Sequence, residues 1–162
     1  EHRLTLLLAT PTFLQIYIRG CEPGQLGGIR LVVVGAEKMP ERLARAFKEK
    51  FGIEPLEAYG CTECSPGVAV NTRDARGPKI HQAGSRAGTI GQPLPGVTVR
   101  IVDPETGEPC GFGKPGLMWV KGPNVMRGYL GKPELTAEVL VDGWYNTGDI
   151  VSQDEDGFLT IS

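Results

Sequence analysis

Two short segments of this sequence carry side chains that could bind a nucleotide. Residues 59–63 read Tyr-Gly-Cys-Thr-Glu, and residues 144–149 read Trp-Tyr-Asn-Thr-Gly-Asp. An aromatic ring can cover a base, a hydroxyl can contact a phosphate, and Glu63 can hold a hard divalent cation through its oxygens. Asp149 only accepts hydrogen bonds when ionised, so it can bind both hydroxyls of a ribose. Together the two segments predict a site for ATP or AMP.

Each segment alone also has a plain structural explanation. Residues 59–63 could be a strand end with a satisfied tyrosine and a surface threonine and glutamate, and Thr-Gly-Asp at residues 147–149 is an ordinary turn composition. The nucleotide interpretation therefore depends on both segments occurring in one chain.

Neither segment is predicted to supply a nucleophile or a general base, so covalent catalysis by this chain is unsupported. The Gly-x-Ser-x-Gly spacing of a nucleophile elbow does not occur, and both Gly-Lys pairs, which begin at residues 113 and 131, are followed by proline instead of the Ser or Thr of a phosphate loop. What remains is positioning and electrostatics around a nucleotide, with the substrate attacking a phosphorus and Mg²⁺ neutralising charge.

Composition and charge argue against several classes of protein. The 162 residues suffice for one ordinary core or two small subdomains. A formal net charge of -2 without a basic run argues against nucleic-acid binding. The apolar runs are far shorter than a bilayer span, and no secretory leader is recognisable. We expect a cytoplasmic protein, with any membrane association supplied by other parts of a longer protein.

The cysteines and histidines give little support for a metal or redox site. Cys61 and Cys64 have the C-x-x-C spacing, but a zinc site would need a second such pair or paired histidines, and the only histidines are His2 and His81. His81 is expected to be a solvated loop residue.

The first part of the chain alternates strand-like and helical patterns. Apolar strands are predicted at residues 5–9, 29–35 and 54–59, and two helices begin near Pro11 and Pro40 and end at Gly20 and Gly52. This alternation predicts a parallel sheet, in which ligands bind outside the carboxyl ends of the strands. Residues 35–37 and 59–60 occupy two such ends.

The residue composition and the hydrophobic pattern change in the second part of the chain. A polar stretch rich in Gly and Arg, up to about residue 88, is expected to be a surface connection. From Thr89 onward, short alternating segments predict an antiparallel sheet or small barrel, interrupted by one helix around residues 133–140. The predicted organisation is an α/β portion with a parallel sheet at residues 1–88 and a β-barrel-like subdomain at residues 89–162.

Four motifs in the chain resemble those of the adenylate-forming superfamily, which contains acyl-CoA synthetases, luciferases and peptide-synthetase adenylation domains. They are a Gly-rich strand end, a Tyr-Gly-x-Thr-Glu motif, a Gly-x-Leu to Gly-Tyr segment and a Trp-Tyr-x-Thr-Gly-Asp motif, at residues 34–37, 59–63, 116–129 and 144–149. The motifs occur in the family's order. Within the family, the sequence of residues 35–38, 59–66 and 121–126 is most similar to the synthetase part of acyl-[acyl-carrier-protein] synthetase/2-acylglycerophosphoethanolamine acyltransferase proteins.

The resemblance implies roles for individual residues. Gly35, Ala36 and Glu37 would lie beside the adenine and acyl pocket. Tyr59 would stack on adenine, and Gly60 would allow the backbone to approach the ligand closely. Thr62 would contact the α-phosphate, Glu63 would ligate Mg²⁺, and Asp149 would bind the ribose hydroxyls. Thr62 and Glu63 would be the catalytic residues, because they hold the α-phosphate and its cation.

The resemblance also implies an activity for a longer protein. MgATP would activate a fatty acid as an acyl-adenylate, and the acyl group would pass to the thiol of CoA or of an acyl carrier protein. A membrane lipid could be a further partner of the full-length protein. The alternatives are a non-catalytic nucleotide-binding or carrier-protein-interaction domain, and an aryl- or amino-acid-activating relative.

Two parts of the family's active site have no counterpart in this sequence. These are the Ser/Thr/Gly-rich phosphate loop and the C-terminal domain with the lysine that drives adenylation. We therefore expect a fragment of the large N-terminal domain that is inactive by itself.

Overall fold

The computed structural model describes residues 4–162, which divide into two units between Ala58 and Tyr59. Among these residues, no helix has the length and apolar character needed to cross a bilayer. The predicted boundary between residues 88 and 89 concerns subdomains of a longer protein, and it stays a prediction.

The first unit alternates strands and helices. In chain order its elements are β1 (Leu6–Ala9), α1 (Pro11–Gly20), a 3-10 turn (Pro23–Leu26), β2 (Leu31–Val34), α2 (Glu41–Phe51) and β3 (Pro55–Gly60), which continues into the second unit. The three strands are parallel, with Leu6 paired to Leu31 and Val32 paired to Pro55. The predicted parallel sheet and both helices are thereby confirmed.

Local sequence explains where the two helices begin and end. Thr10 caps α1 by accepting a hydrogen bond from the Phe13 amide at 3.4 Å, and Pro11 occupies the first turn, where a missing N–H costs nothing. Gly52 ends α2 with a φ of 72°, a conformation that glycine adopts without strain. The core between helices and sheet contains Leu14 and Phe47, both fully buried.

The second unit is mostly antiparallel. Its elements are a 3-10 turn (Thr62–Cys64), β4 (Gly67–Val70), β5 (Ala75–Gly77), β6 (Ile80–Gln82), β7 (Gln92–Pro93), β8 (Thr98–Val102), β9 (Gly116–Lys121), α3 (Pro133–Val139), β10 (Leu140–Val141), β11 (Trp144–Gln153) and β12 (Leu159–Ile161). The main sheet has the order β10-β11-β9-β8, with β12 also paired to β11. This curled half-barrel confirms the predicted barrel-like portion.

The main sheet packs one face into a core. Met118, Val120, Val151 and Leu159 are fully buried, and buried residues alternate with more exposed ones along β9 as the two-residue period of a strand requires. The burial of this face holds β9 and β11 in fixed register, and that register positions the side chains that follow.

The segment around residues 71–88 is more structured than a plain surface connection. Strands β5 and β6 form an exposed two-stranded hairpin within it. At its end the Arg86 guanidinium donates to Asp154 and Asp156, the latter at 2.7 Å, and lies 4.6 Å from the centre of the Phe158 ring. Arg86 therefore joins this segment to the turn before β12.

Candidate functional site

The side chains of Tyr59 and Asp149 meet although 90 residues separate them in sequence. Tyr59 lies at the carboxyl end of β3, and Asp149 lies within β11. The Tyr59 hydroxyl donates a hydrogen bond to Oδ2 of Asp149. Burial, followed by the hydrogen bond to this carboxylate and its negative charge, raises the pKa of Tyr59 far above its usual value of 10.0. Tyr59 is therefore a neutral donor that orients Asp149.

A β-bulge presents Asp149. The register between β11 and β9 shifts between Asn146 and Ile150, so the intervening Thr-Gly-Asp is not paired in the regular ladder. Gly148 has a φ of 77°, and its amide donates to Oδ1 of Asn146 at 3.0 Å. Thr147 Oγ1 accepts from the Asp149 amide at 3.1 Å and donates to the Met118 carbonyl at 2.9 Å. The turn-like composition of this segment thus forms a bulge inside a long strand.

Gly60 allows the chain to reverse directly after Tyr59. A Cβ built on Gly60 would lie 1.9 Å from the Pro66 carbonyl oxygen, so no larger residue fits without a backbone shift. The reversal contains the 3-10 turn, which the amide of Cys64 closes on the carbonyl of Cys61 at 3.0 Å. The turn carries Thr62, whose side chain is exposed, and Glu63.

A second phenol–carboxylate pair orients Glu63. The Tyr129 hydroxyl donates to Oε1 of Glu63 at 2.8 Å, and this hydrogen bond is the largest cause that raises the pKa of Tyr129. The carbonyl of Glu63 accepts from the Met126 amide at 2.7 Å. The side-chain amide of Asn124 donates to the carbonyls of Cys64 and Gly67 at 3.0 and 2.7 Å. The segment after β9 therefore holds the turn at both its backbone and its carboxylate.

Sequence reasoning assigned no role to Tyr129 or Asn124. Both lie in or beside the Gly-x-Leu to Gly-Tyr segment that resembles a family motif, and this was the available signal. Their partners could not be named from the sequence, because the contacts join residues 57 to 66 positions apart.

The two thiols of the C-x-x-C pair lie within the same turn. They are hydrogen-bonded to each other, which lowers the pKa of Cys61 and raises that of Cys64. Burial and the negative charges of Glu63 and Asp149 act against the hydrogen bond and raise the pKa of Cys61. Cys64 is fully buried, whereas Cys61 is partly exposed.

The other predicted site residues, Gly35, Ala36 and Glu37, belong to the first unit. A Cβ on Gly35 would lie 3.1 Å from the Ala58 carbonyl oxygen, so the backbones are close there. Ala36 has a φ of 70°, which is uncommon for a residue with a side chain. Glu37 accepts a hydrogen bond from the Thr12 hydroxyl at 3.2 Å. The predicted binding roles of these residues stay predictions.

The donor set fits a magnesium ion that a nucleotide would share. Within residues 4–162, no group of three or more His, Cys, Asp or Glu side chains could hold a metal by itself. Mg²⁺ is usually bound through one or two carboxylates, with phosphate oxygens and waters completing the octahedron. Tyr129 is bonded to one oxygen of Glu63, which leaves the other oxygen for such an ion. His81 is exposed and lies 3.5 Å from Asp74, outside this arrangement.

Comparison with known proteins places this chain in a family. The model of the AMP-binding enzyme family matches residues 1–130. The chain therefore belongs to the AMP-binding enzyme family, and the predicted membership in the adenylate-forming superfamily is confirmed.

The chain is similar to individual CoA ligases and to solved structures within this family. The chain is 44% identical over 133 residues to the long-chain-fatty-acid–CoA ligase of Yersinia pestis, which covers 82% of this chain and 22% of that protein. It is 36% identical over 163 residues to the feruloyl-CoA synthase of an Amycolatopsis species, covering 99% of this chain and 31% of that protein. The crystal structure of ATP-bound MatB from Rhodopseudomonas palustris matches with a TM-score of 0.83 at 34% identity, covering 98% of this chain and 30% of that one. The chain thus spans less than a third of each of these relatives.

Proposed function

We propose that this chain forms part of the adenylate site of an ATP-dependent ligase that joins a fatty acid to a thiol. The hydrogen bond between Tyr59 and Asp149 carries the proposal, because it unites two motifs that would each be ordinary alone. Tyr59, Glu63 and Asp149 all lie in one unit, which supports the proposed roles of an aromatic ring over the base, a metal-binding carboxylate and a ribose acceptor. The similarity to a long-chain-fatty-acid–CoA ligase supports the choice of acid.

The chain's own residues would bind and orient the nucleotide. The ring of Tyr59 would cover the adenine, and its hydroxyl already directs the Asp149 carboxylate. A carboxylate has about four acceptor positions, so the one that Tyr59 uses leaves enough for both ribose hydroxyls. The nucleotide would be held at its base and sugar by side chains that are oriented before it binds.

Thr62 and Glu63 would act on the phosphates. The Thr62 hydroxyl is exposed on the turn and can donate to a nonbridging oxygen of the α-phosphate. Glu63, held by Tyr129, would bind Mg²⁺. When bound, the ion neutralises charge that develops on the phosphate oxygens. These residues would lower the barrier by positioning and electrostatics, without a covalent intermediate on the protein.

The proposed reaction needs no catalytic nucleophile from the chain. An oxygen of the fatty carboxylate attacks the α-phosphorus, the bond to the bridging oxygen breaks, and pyrophosphate leaves. The thiolate of CoA or of a carrier protein then attacks the acyl carbonyl, and AMP leaves with the electron pair of the broken C–O bond. The carboxylate is ionised near neutral pH, so the first step requires no general base.

The most informative experiment is one that identifies the acid and the thiol on which the full-length protein acts. Pyrophosphate release by the full-length protein should be measured with fatty acids of graded length and with ferulic acid, each with CoA or acyl carrier protein. We expect pyrophosphate release with long-chain acids. We also propose that the protein is located in the cytoplasm. Release with ferulic acid alone would favour the aryl-activating alternative, for which the feruloyl-CoA synthase similarity is the observation. Nucleotide binding without release would favour a non-catalytic domain.

The acceptor thiol is the finer part of the proposal. The sequence of residues 59–66 and 121–126 favours an acyl carrier protein, as in synthetases fused to an acyltransferase, whereas the similarity to a long-chain-fatty-acid–CoA ligase favours CoA. Transfer to only one of the two thiols in the same assay would decide between them.

The role of Asp149 can be tested by removing its charge without changing its size. Asp149→Asn should raise the KM for ATP by at least about tenfold, because hydrogen bonds to a charged acceptor contribute about 1.5–3 kcal/mol. Asp142→Asn is the matched control, since Asp142 is exposed in the turn before β11 and asparagine tolerates its positive φ of 52°. An unchanged KM for ATP in Asp149→Asn would contradict the ribose role.

A further inference from the structure

The C-x-x-C pair has a geometry suited to joining its two sulfurs. Cys61 immediately precedes the 3-10 turn and Cys64 ends it, and the Cys64 amide donates to the Cys61 carbonyl at 3.0 Å. A turn closed by this hydrogen bond brings the Cα atoms of its first and fourth residues within about 7 Å of each other. A disulfide spans Cα atoms about 4.4–6.8 Å apart, so the two cysteines need only a small adjustment of the turn to be joined.

The two thiols differ in exposure, so they would have different roles in a reaction with an oxidant. Cys61 is partly exposed and can meet a dissolved oxidant, whereas Cys64 is fully buried beneath it. A small oxidant would therefore react first at Cys61, and the buried thiol could reach only its partner. This is the arrangement of an attacking and a resolving cysteine.

We propose that Cys61 and Cys64 are a modification site at which a peroxide forms a disulfide, and that this disulfide switches off adenylation. The second half of this inference rests on the proposed function. A Cys61 thiolate attacks one oxygen of the peroxide, the O–O bond breaks, and hydroxide leaves, so that the sulfur becomes a sulfenic acid. The Cys64 sulfur then attacks that sulfur, and water leaves. Two thiols and one hydrogen peroxide give one disulfide and two waters.

The disulfide would enclose the residues that act on the phosphates. Thr62 and Glu63 are the two residues between the cysteines, so both lie inside the ring that the new bond closes. The bond requires an S–S length of about 2.05 Å, much shorter than the separation of two unbonded sulfurs. Closing it draws the two ends of the turn together and moves the residues between them. A misplacement of about 1 Å can cost roughly 100-fold in rate.

The pair is better suited to this chemistry than to metal binding. In the described part of the chain, no set of three or more ligating side chains includes these cysteines. Cys21 and Cys110 are also free and partly exposed, and the Cys110 sulfur donates to the Pro115 carbonyl oxygen at 3.8 Å. These two cysteines supply internal controls.

The test exposes the full-length protein to hydrogen peroxide and follows mass and activity separately. We expect the peptide containing residues 61–64 to lose about 2 Da and to resist alkylation, with both changes reversed by dithiothreitol. Pyrophosphate release should fall at least about tenfold and recover on reduction. In Cys64→Ser the disulfide cannot form, and Cys61 should instead be labelled by dimedone as a sulfenic acid. Cys110→Ser should respond as the unsubstituted protein does.

Several results would overturn the inference. Both thiols remaining open to alkylation after peroxide would exclude the modification site. A disulfide at this position with unchanged pyrophosphate release would exclude the switch, as would equal inactivation in Cys64→Ser. Failure of the reduced protein to release pyrophosphate would contradict the proposed function, and the mass measurement would still decide whether the dithiol is a modification site.

Discussion

Two tyrosines, each donating to a carboxylate, organise the candidate site. Tyr59 donates to Asp149, and Tyr129 donates to Glu63. An ionised carboxylate has several acceptor positions, and a phenol that occupies one of them holds the side chain in a single orientation while leaving the others open. Both carboxylates are thereby oriented without a ligand, which would reduce the entropy lost in the proposed binding of a nucleotide.

Tyr129 is predicted to be a positioning residue for Glu63. Tyr129→Phe keeps the ring and removes the donor, so we expect the Mg²⁺ concentration that gives half-maximal pyrophosphate release to rise by about tenfold, since a hydrogen bond to a charged group contributes about 1.5–3 kcal/mol. Titrating Mg²⁺ at saturating ATP measures this. Tyr17→Phe in the first unit is the matched control. A lower maximal rate with unchanged Mg²⁺ dependence would indicate a purely structural role.

Tyr59 should make the stability of the fold depend on pH in the alkaline range. Below about pH 10 the phenol is protonated in both the folded and the unfolded chain, so it contributes no pH dependence there. Above that pH the unfolded chain loses the proton first, because the folded state raises the pKa of Tyr59, and the free energy of unfolding falls as pH rises. We expect a shallower fall in Tyr59→Phe, measured by urea denaturation at stepped pH. Parallel curves for the two proteins would refute this.

At the scale of elements, the bulge in β11 decides where Asp149 points. A regular strand would continue the alternation of the sheet, whereas the register shift between Asn146 and Ile150 frees Asp149 from the ladder. The positive φ of Gly148 maintains that shift. The bulge thereby lets Asp149 reach the candidate site from within a strand, without an added loop.

Gly148→Ala tests the bulge against a control of equal backbone cost. Gly148 and Gly107 have φ values of 77° and 74°, and a Cβ at either position would meet nothing within 4 Å. Alanine at each should cost about 1–2 kcal/mol of stability. Only Gly148→Ala should also raise the KM for ATP, because Gly107 lies in the turn after β8. Equal KM values for the two variants would show that the bulge does not position Asp149.

At the scale of the whole molecule, the residues predicted to bind a nucleotide are divided between the two units. The second unit contains the two pairs that the structure joins, Tyr59 with Asp149 and Tyr129 with Glu63, while Gly35, Ala36 and Glu37 lie in the first. The relatives described above are more than three times as long. The sequence contains no segment that resembles the family's loop for the β- and γ-phosphates.

The isolated chain of 162 residues is therefore predicted to be inactive. It should show no exchange of labelled pyrophosphate into ATP with any fatty acid, because the β- and γ-phosphates would lack their binding loop. The full-length protein under the same conditions is the control. Exchange by the isolated chain would show that these residues suffice for adenylation.

Part of this arrangement could be predicted from local pattern. Apolar periodicity and the residues that begin and end helices predicted α1, α2 and the parallel strands, since those signals act over a few neighbouring residues. Strand β11 was not predicted, because Thr-Gly-Asp at residues 147–149 has the composition of a turn. The structure accommodates this composition as a bulge inside the strand.

The sequence by itself determined the family, the parallel sheet and the types of side chain that could meet a nucleotide, because these depend on residue identity and short-range order. Only the tertiary structure decided that Tyr59 donates to Asp149, that Tyr129 donates to Glu63, and that the two thiols share one turn. The first two contacts join residues 90 and 66 positions apart. Such distant partners are chosen by strand register and by a bulge, and both arise from burying one face of the antiparallel sheet.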